Sequence, residues 1–223
     1  LKVEKMRNVI IGTPSYDGKV EVLYVNSLIG TLATRPEDIQ IFPIFIPNDA
    51  LIQRARNDLM KFAVTAFDGK GIDDIVFIDA DIFWEPKDFY RLLSHKEDVV
   101  GGLYRQKTDR QQVLVIRDMK DAVADENGLL EVNGIGCGFL RLSQNAIKKL
   151  WDSSPAYENG GNSSKSVFEV LIDDKGELIS EDIVMCRKWQ ALEGKIYADT
   201  SILCGHIGSK PFVIEKIDKP LEK

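Results

Sequence analysis

The chain has 223 residues, of which 44% are hydrophobic and 29% charged, the balance of an ordinary globular protein. Its formal net charge of −6 excludes a general nucleic-acid binder, because no basic stripe is available to neutralise phosphates. No apolar run approaches the length of a membrane span, and no signal peptide is recognisable. The three cysteines are scattered, which favours buried free thiols in a reducing compartment, the cytoplasm.

The first half of the chain alternates apolar strands with helical patterns. Strands are predicted at "RNVIIGTPSYDG", broken at Gly12 and Pro14, at "IQIFPIFIP", at "DDIVFID" and at "DVVGGLY", with helices over residues 20–32, 49–67 and 86–93. Asn48 is the predicted N-cap of the second helix. Because the strands are apolar throughout, this order predicts an α/β fold whose parallel sheet is covered by helices on both faces.

The second half of the chain changes character. Its predicted elements are a hairpin around "DENG" within residues 111–132, a glycine-rich turn into a strand at "GIGCGFLRLS", helices over residues 145–151 and 180–193, a flexible loop at "ENGGNSSKS", and two short strands in "KIYADTSILCGHIG". We predict one domain over residues 6–215, in which a nucleotide-binding half (6–105) merges into a mixed-sheet acceptor half (106–215). Residues 1–5 are interpreted as a cloning remnant, and residues 216–223 as a tail or a linker to a further domain.

Two carboxylates follow the third predicted strand in "DDIVFIDADIFWEP". Alternation puts Asp79 and Asp81 on one side of the chain, at the edge where open α/β sheets bind ligands. Such a pair suits Mg²⁺ or Mn²⁺, although an isolated D-x-D is more often a pair of surface carboxylates or turn caps. Asp73 and Asp74, at the other end of the strand, are expected to be solvated turn residues.

The two histidines are treated differently. His206 lies in the glycine-rich segment "CGHIGSKPF". A lone histidine is more often a structural hydrogen-bonding residue, but Lys210 in the same segment suits a diphosphate and favours a functional interpretation. His95 is expected to be exposed at a helix end and is given no role.

Two arginines follow the second predicted strand in "LIQRARND". Residues two apart on a helix do not share a face, so only one of Arg54 and Arg56 is expected to point at the ligand edge. We favour Arg56, either on the ligand or bracing the aspartates, and a solvated basic helix face is the alternative.

The segment "SED" begins the helix predicted over residues 180–193. Ser180 as the cap, followed by acidic residues in the first turn, would stabilise any helix and is the simpler explanation. The functional alternative is that Asp182 or Glu181 acts as a general base for an incoming hydroxyl.

Two further glycine-containing segments lie near strand ends. "GIGCGF" lacks the spacing of a dinucleotide fingerprint, so its glycines are expected to allow close backbone approach to a ligand or a tight strand entry. "GTPSYDG" follows the first strand and carries Tyr16, which could stack on a base.

Taken in order, these pieces resemble the metal-dependent GT-A glycosyltransferases, which move a sugar from a nucleotide-sugar donor. The segments that carry the resemblance are "IIGTPSYDG", "LIQRARND", "FIDADI", "GGLY", "GIGCGFL", "SEDIVMCRKWQALEG" and "CGHIGSKPF". Within that family, the chain resembles small enzymes of phages and large DNA viruses, such as the amino-terminal domain of a chlorovirus glycosyltransferase. The resemblance implies a GT-A (Rossmann-like) fold with a mixed, mainly parallel sheet flanked by helices, and, for a viral protein, the cytoplasm of the host cell.

The resemblance also implies a donor site. Asp79 and Asp81 would hold Mn²⁺ or Mg²⁺ with His206 as the third protein ligand, and the donor would be a UDP-sugar. The implied donor-site residues are Thr13, Pro14, Tyr16, Asp17, Arg56, Asp79, Ala80, Gly208 and Lys210. "HIGSKPF" is similar to a run in the glycogenin-like group, but Phe212 replaces the tryptophan and the spacing is one residue shorter. This departure concerns the segment around Lys210 and leaves the match at His206 intact.

The implied activity is transfer of a hexose to a glycan or another hydroxyl acceptor. Asp182 matches the acidic position that faces the acceptor; it would deprotonate the hydroxyl in an inverting enzyme or position a substrate in a retaining one. Two alternatives stay open. A nucleotidyltransferase that makes nucleotide-sugars would usually carry a basic glycine-rich loop after the first strand, and a non-catalytic nucleotide- or carbohydrate-binding module would need neither Asp81 nor His206.

Overall fold

The computed structural model describes residues 6–69, 71–108 and 123–214, apart from the side chains of residues 67–69. The interpreted cloning remnant (1–5), the tail (216–223) and residues 111–122 of the predicted hairpin segment lie outside the described residues.

The described residues form fourteen strands and five helices. The strands are β1 (Arg7–Ser15), β2 (Ile39–Pro47), β3 (Asp74–Ile78), β4 (Ile82–Phe83), β5 (Val99–Leu103), β6 (Leu129–Val132), β7 (Phe139–Ser143), β8 (Ala156–Asn159), β9 (Asn162–Lys165), β10 (Leu171–Ile172), β11 (Leu178–Ile179), β12 (Ile196–Leu203), β13 (Gly205–Ile207) and β14 (Pro211–Phe212). The helices are α1 (Val22–Ala33), α2 (Ile52–Gly69), α3 (Pro86–Ser94), α4 (Gln144–Ser153) and α5 (Glu181–Ala191).

Seven strands build the central sheet in the order β2-β1-β3-β7-β5-β12-β6. β2, β1 and β3 are parallel to one another, β5 and β12 are parallel, and β7 and β6 are antiparallel to their neighbours. Helix α1 packs against α3, while α4 contacts both α2 and α5. The sheet is therefore mixed, mainly parallel and flanked by helices, which confirms the predicted fold class.

The central strands explain why their sequences do not alternate. Every residue of β3 and of β5 is buried. A strand covered on both faces gains from apolar side chains on each of them, so the alternating pattern of a half-exposed strand is lost.

Strand β1 continues through Gly12 and Pro14 to Ser15, where the sequence predicted a break. The carbonyl of Ser15 accepts a hydrogen bond from the N–H of Asn48 on the β2 side. By alternation Pro14 faces the β3 side, where pairing ends at Gly12. The missing N–H of proline therefore removes no hydrogen bond from the sheet at this position.

The predicted start of α2 is also corrected. The helix begins at Ile52, and Asn48 is not its N-cap but adopts a left-handed conformation with φ of 60°. The carboxylate of Asp49 instead accepts from the N–H of Leu51 at 2.9 Å. Asparagine tolerates the left-handed region better than most residues, which suits it to this tight connection.

The segment "ENGGNSSKS" is not a flexible loop. It forms the hairpin β8–β9, with Asn159 opposite Asn162. Gly160 and Gly161 lie at the turn with φ of 57° and 85°, the positive values that a two-residue hairpin turn requires. Lys61 on α2 donates to the carbonyl of Ser163 at 2.7 Å and holds the hairpin against the helix.

Candidate functional site

The D-x-D segment forms a turn at the carboxyl edge of the sheet. Directly after β3, the N–H of Ile82 donates to the carbonyl of Asp79 at 3.0 Å, and the chain enters β4. The carbonyl of Ala80 accepts from the N–H of Glu21 at 2.9 Å. This contact joins the turn to the loop that follows β1, so two predicted parts of the donor site are neighbours.

Strand β13 brings His206 to the D-x-D turn. His206 pairs with Ile82 of β4, and the N–H of Ile207 donates to the carbonyl of Asp81 at 2.8 Å. As a result the Nε2 atom of His206 lies 3.3 Å from Oδ1 of Asp81. Its Nδ1 atom lies 2.8 Å from the carbonyl of Arg105, and because a carbonyl only accepts, Nδ1 carries a proton.

The two carboxylate oxygens of Asp81 have different surroundings. Oδ2 forms an ion pair with the ammonium of Lys107, while Oδ1 is buried and has no hydrogen-bond partner among the described residues. Burial raises the pKa of this carboxyl, but His206 and Lys107 outweigh that effect and the pKa is lowered overall. Asp81 is therefore held ionised with one oxygen unmatched, which is unusual for a buried acceptor.

The pair of Asp81 and His206 fits a divalent cation. Two ligands of an ion at distances of about 2.1 Å and at right angles lie roughly 3 Å apart, close to the observed spacing. A histidine whose other nitrogen donates to a carbonyl is the usual arrangement of a metal ligand. Within the described residues, however, no three histidine, cysteine or acidic side chains lie close enough together to form a metal site. Asp79 therefore does not lie with Asp81 and His206 as a third ligand.

Arg56 accounts for the position of Asp79. The guanidinium of Arg56 is buried and donates to Asp79 at 2.7 Å and also to Glu181. Burial lowers the pKa of Arg56, but the neighbouring carboxylates, led by Asp79, more than compensate and raise it. Arg54 points elsewhere and pairs with Asp49 at 2.7 Å. Of the two arginines, Arg56 is therefore the one that braces the aspartate.

The start of α5 presents its two acidic residues differently. Ser180 occupies the N-cap position, but its hydroxyl donates to Oδ1 of Asp182 rather than capping the backbone. The same oxygen accepts from the N–H of Ile183 at 2.8 Å. Oδ2 of Asp182 faces Gly136 and has no hydrogen-bond donor among the residues described. Glu181 is occupied by Arg56, so Asp182 has the more available carboxylate oxygen.

The glycines of "GIGCGF" make room for a tyrosine. A Cβ atom on Gly136 or Gly138 would lie 2.4 Å or 2.6 Å from atoms of Tyr104. The N–H of Gly138 donates to the Tyr104 hydroxyl at 3.0 Å, and the Tyr104 ring meets the His206 ring edge to face. Burial raises the pKa of this tyrosine well above its ordinary value. Here the glycines serve close packing behind His206.

The end of β1 is buried, whereas the loop that follows it lies at the surface. Pro14 and Thr13 are buried, and the Thr13 hydroxyl is hydrogen-bonded to the Tyr24 hydroxyl at 2.6 Å, so that side chain belongs to the core. Tyr16 is 75% exposed, and Asp17 forms a surface ion pair with Lys19. Of these predicted residues, Tyr16 and Asp17 have side chains that a ligand could reach.

The turn between β13 and β14 carries the two remaining predicted residues. The N–H of Gly208 donates to the carbonyl of Lys210 at 3.1 Å. The ammonium of Lys210 lies 5.5 Å from the centre of the Phe212 ring. A Cβ atom on Gly208 would lie 3.2 Å from the stem of Lys107, so the turn and Lys107 are neighbours.

Lys107 is the residue that sequence analysis missed. It follows β5 in "YRQKTD", three positions after the end of the segment "GGLY", and is part of no segment that was singled out. The only available signal was its place after the carboxyl end of a buried strand, where ligand contacts concentrate.

Asp73, Asp74 and His95 were predicted to be solvent-exposed and without a role, but each is hydrogen-bonded or ion-paired within the protein. Asp74 is not a solvated turn residue but is 1% exposed and bonded to Arg7 and Arg141. His95 is not exposed; its Nε2 atom lies 2.7 Å from the buried carboxylate of Asp199. The carboxylate of Asp73 accepts from the N–H of Asn8 at 2.8 Å, so it too is engaged. These side chains are therefore bound by residues of the sheet and are not simply hydrated at the surface.

The cysteines agree with the expectation from sequence. Cys137, Cys186 and Cys204 are all buried and free, as predicted. Over the described parts of the chain, each helix is too short or too polar to cross a bilayer.

Comparisons with known proteins place the fold. No protein-family model and no curated protein sequence matches the chain, but 81 chains of solved structures do. The viral protein A197 from STIV has a TM-score of 0.56 at 19% identity, covering 98% of this chain and 99% of its own. GalNAc-T7, solved with UDP, GalNAc and Mn²⁺, has a TM-score of 0.54 at 9% identity, covering 93% of this chain.

The chain has a GT-A-like fold. It spans 45% of the length of the GalNAc-T7 chain and nearly all of the A197 chain. At these identities the likeness concerns the fold, and the site residues have to be argued from their own geometry.

Proposed function

We propose that the chain is a metal-dependent glycosyltransferase that moves a sugar from a UDP-sugar to a hydroxyl of a glycan or another acceptor. The observation that carries the proposal is the approach of His206 to Asp81, at 3.3 Å, on the carboxyl edge of a GT-A-like sheet. That edge is where open α/β sheets bind their ligands. The likeness to GalNAc-T7, solved with UDP, GalNAc and Mn²⁺, supports the choice of ligand class.

In the proposed donor site, Asp81 and His206 would hold Mn²⁺ or Mg²⁺, and Asp79 of the same turn is the proposed third ligand. When bound, the cation would neutralise negative charge on the departing diphosphate. Arg56 orients Asp79 through its hydrogen bond at 2.7 Å. The hydrogen bond between Nδ1 of His206 and the Arg105 carbonyl directs Nε2 toward Asp81.

The nucleotide is proposed to lie along the loop after β1 and the turn after β13. The exposed ring of Tyr16 would stack on the base, with Asp17 beside it, while Thr13 and Pro14 shape the floor from within the core. The Ala80 backbone connects this loop to the D-x-D turn. On the other side, Gly208 and Lys210 would face the diphosphate, to which Lys210 adds a positive charge.

The acceptor is proposed to approach the start of α5. The Oδ2 atom of Asp182 lies near Gly136, 3.5 Å from where a Cβ atom would stand, and accepts no hydrogen bond from the described residues. This oxygen would accept the proton of the acceptor hydroxyl in an inverting reaction, or position a substrate in a retaining one. Glu181 contributes indirectly, because its carboxylate is paired with Arg56.

The proposal is tested by thermal unfolding with UDP, with and without Mn²⁺, followed by transfer or hydrolysis assays over a panel of UDP-sugars. A ligand at about one hundred times its Kd adds about 2.7 kcal/mol to the free energy of unfolding. We expect a shift in Tm that requires both UDP and Mn²⁺, its loss in Asp81→Ala, and its survival without turnover in Asp182→Ala. Asp152→Ala, which removes an exposed pair on α4, serves as the control.

The outcomes separate the alternatives. A UDP shift that needs no metal, or one that Asp81→Ala retains, would overturn the metal-bridged site. A metal-dependent shift without turnover of any UDP-sugar would favour a non-catalytic nucleotide-binding module. Full transfer by Asp182→Ala would remove Asp182 from the chemistry and leave the donor site intact.

A further inference from the structure

Lys107 places a positive charge on the carboxylate that the proposed metal needs. Its ammonium forms an ion pair with Oδ2 of Asp81, while Oδ1 of the same residue faces His206 without a hydrogen-bond partner among the described residues. Asp81 is thus approached by a cation on one oxygen and by a potential metal ligand on the other. If a divalent ion were bound to Asp81 while Lys107 kept its ion pair, the ion and the ammonium would be close enough to repel each other.

We propose that Lys107 is an exchangeable counter-ion: it pairs with Asp81 before the divalent cation binds, and it transfers to the diphosphate of the donor afterwards. The inference rests on the proposed function, because it needs both a cation at Asp81 and a diphosphate ligand. It assigns Lys107 a binding role that also couples the two ligands.

The surroundings of Lys107 allow such a transfer. Its side chain is 40% exposed, and a lysine ammonium sits on a flexible four-carbon stem that can redirect the charge without backbone movement. The stem passes Gly208, where a Cβ atom would lie 3.2 Å from Cδ of Lys107. Any side chain at Gly208 would crowd the stem, whereas glycine leaves it room. The same turn carries Lys210, so the released ammonium would remain beside the proposed diphosphate position.

The charges predict cooperativity between metal and nucleotide. With the metal alone, binding at Asp81 must break the Lys107 ion pair and leaves the ammonium without an anion. With a diphosphate present, the ammonium pairs with the diphosphate instead of Asp81, which offsets the free energy lost when the Lys107 ion pair breaks. Because linkage is reciprocal, UDP should tighten Mn²⁺ binding by the same factor by which Mn²⁺ tightens UDP binding.

The experiment measures Mn²⁺ binding by the electron paramagnetic resonance signal of free Mn²⁺, first without nucleotide and then with saturating UDP. Lys107→Met should bind Mn²⁺ alone about three- to fivefold more tightly than wild type, the upper part of the range expected when a competing exposed ion pair is removed. Its tightening by UDP should shrink by a similar factor. Lys107→Gln should behave in the same way, which guards against an effect particular to methionine.

Two controls keep the result specific. Lys195→Met changes the net charge equally and breaks the exposed pair with Glu131 at 2.9 Å, and it should leave Mn²⁺ affinity within about twofold of wild type. Lys107→Arg keeps the charge and should not bind Mn²⁺ more tightly than wild type.

Each contrary outcome has a definite meaning. If Lys107→Met and Lys107→Gln bind Mn²⁺ no more tightly than wild type, while Asp81→Asn abolishes binding, the exchange is overturned and the proposed metal site stands. If neither the wild type nor the Lys107 variants bind Mn²⁺ through Asp81, both the exchange and the proposed function are overturned.

Discussion

The carboxylates at the two ends of β3, the buried Asp74 and the partly exposed Asp81, differ in how fully their oxygens are hydrogen-bonded. At the amino end, Asp74 accepts from Nε of Arg7 and from Nε of Arg141, both at 2.6 Å. At the carboxyl end, Asp81 has Lys107 on one oxygen and, within the described residues, no hydrogen bond on the other. Both carboxylate oxygens of Asp74 thus have donors, whereas in the described part of the chain only one oxygen of Asp81 does.

The difference teaches how structural and ligand-binding carboxylates can be told apart. Arginine offers a rigid fork of donors and cannot lose its proton, so it suits permanent buried pairs. Lysine is a flexible point charge that can leave its partner. A carboxylate whose two oxygens are both bound by arginines is engaged within the protein. A carboxylate with one oxygen on a lysine and the other without a donor can still bind a ligand.

The largest expected effect is at the amino end of β3. Asp74→Ala should lower the free energy of unfolding by about 3–5 kcal/mol, because the buried Arg141 would lose its carboxylate partner. Urea denaturation measures the loss. Asp152→Ala, which breaks the exposed pair with Lys148, should change it by less than about 0.5 kcal/mol. Equal losses in the two variants would show that the Asp74 cluster is not structural.

The ion pair of Arg56 with Asp79 tests whether the carboxyl end of β3 also has a structural pair. Arg56→Met should cost about 2–3 kcal/mol, less than Asp74→Ala because its partner Asp79 is partly exposed. The matched variant is Arg54→Met, two positions away. The Arg54 side chain is 35% exposed, so its pair with Asp49 should be worth less than about 1 kcal/mol. The two unfolding curves, measured side by side, decide the point. A larger loss for Arg54→Met would reverse our assignment of the bracing arginine.

Asp81→Asn should change the free energy of unfolding by no more than about 1 kcal/mol, since the variant removes a partly exposed ion pair and a carboxylate oxygen that had no donor. Chemical denaturation without ligand is the appropriate measurement. A loss as large as that of Asp74→Ala would mean that the two ends of β3 are equivalent, contrary to the comparison.

The smallest effect is the acid dependence of Asp81. Its folded pKa is lowered, since His206 and Lys107 outweigh burial, whereas the ordinary value is 3.8. The stabilisation from its ionisation is therefore complete above the ordinary value and is lost as the pH falls through the lowered one. The difference in unfolding free energy between wild type and Asp81→Asn should decline in that acidic range. A difference that grows as the pH falls would contradict the sign.

Much of the fold could be predicted because local patterns report burial. The apolar runs that became β1, β2, β3 and β5 lie in the central sheet as expected, and the order of helices and strands implied parallel pairing. The hairpin β8–β9 was missed because its strands are polar and lie at the surface, so no periodicity marked them. Its two glycines were the available signal, and they were attributed to flexibility instead.

The candidate site was predictable only in part. The position of Asp79 and Asp81 after a buried strand indicated a ligand edge, and helix geometry correctly separated Arg56 from Arg54. The roles of Asp74 and His95 could not be predicted, because a solvated acidic turn and a buried ion pair look alike in sequence. Their partners come from strands far away in the sequence, and that adjacency depends on the order of the sheet.

The sequence by itself determined which segments are buried strands and where carboxylates follow them, since burial and turn formation are encoded by neighbouring residues. Only the tertiary structure decided that β13 pairs with β4 and so brings His206 to Asp81, with Lys107 as the competing cation. Strand pairing depends on hydrogen bonds between segments far apart in the chain, and no local pattern specifies the partner.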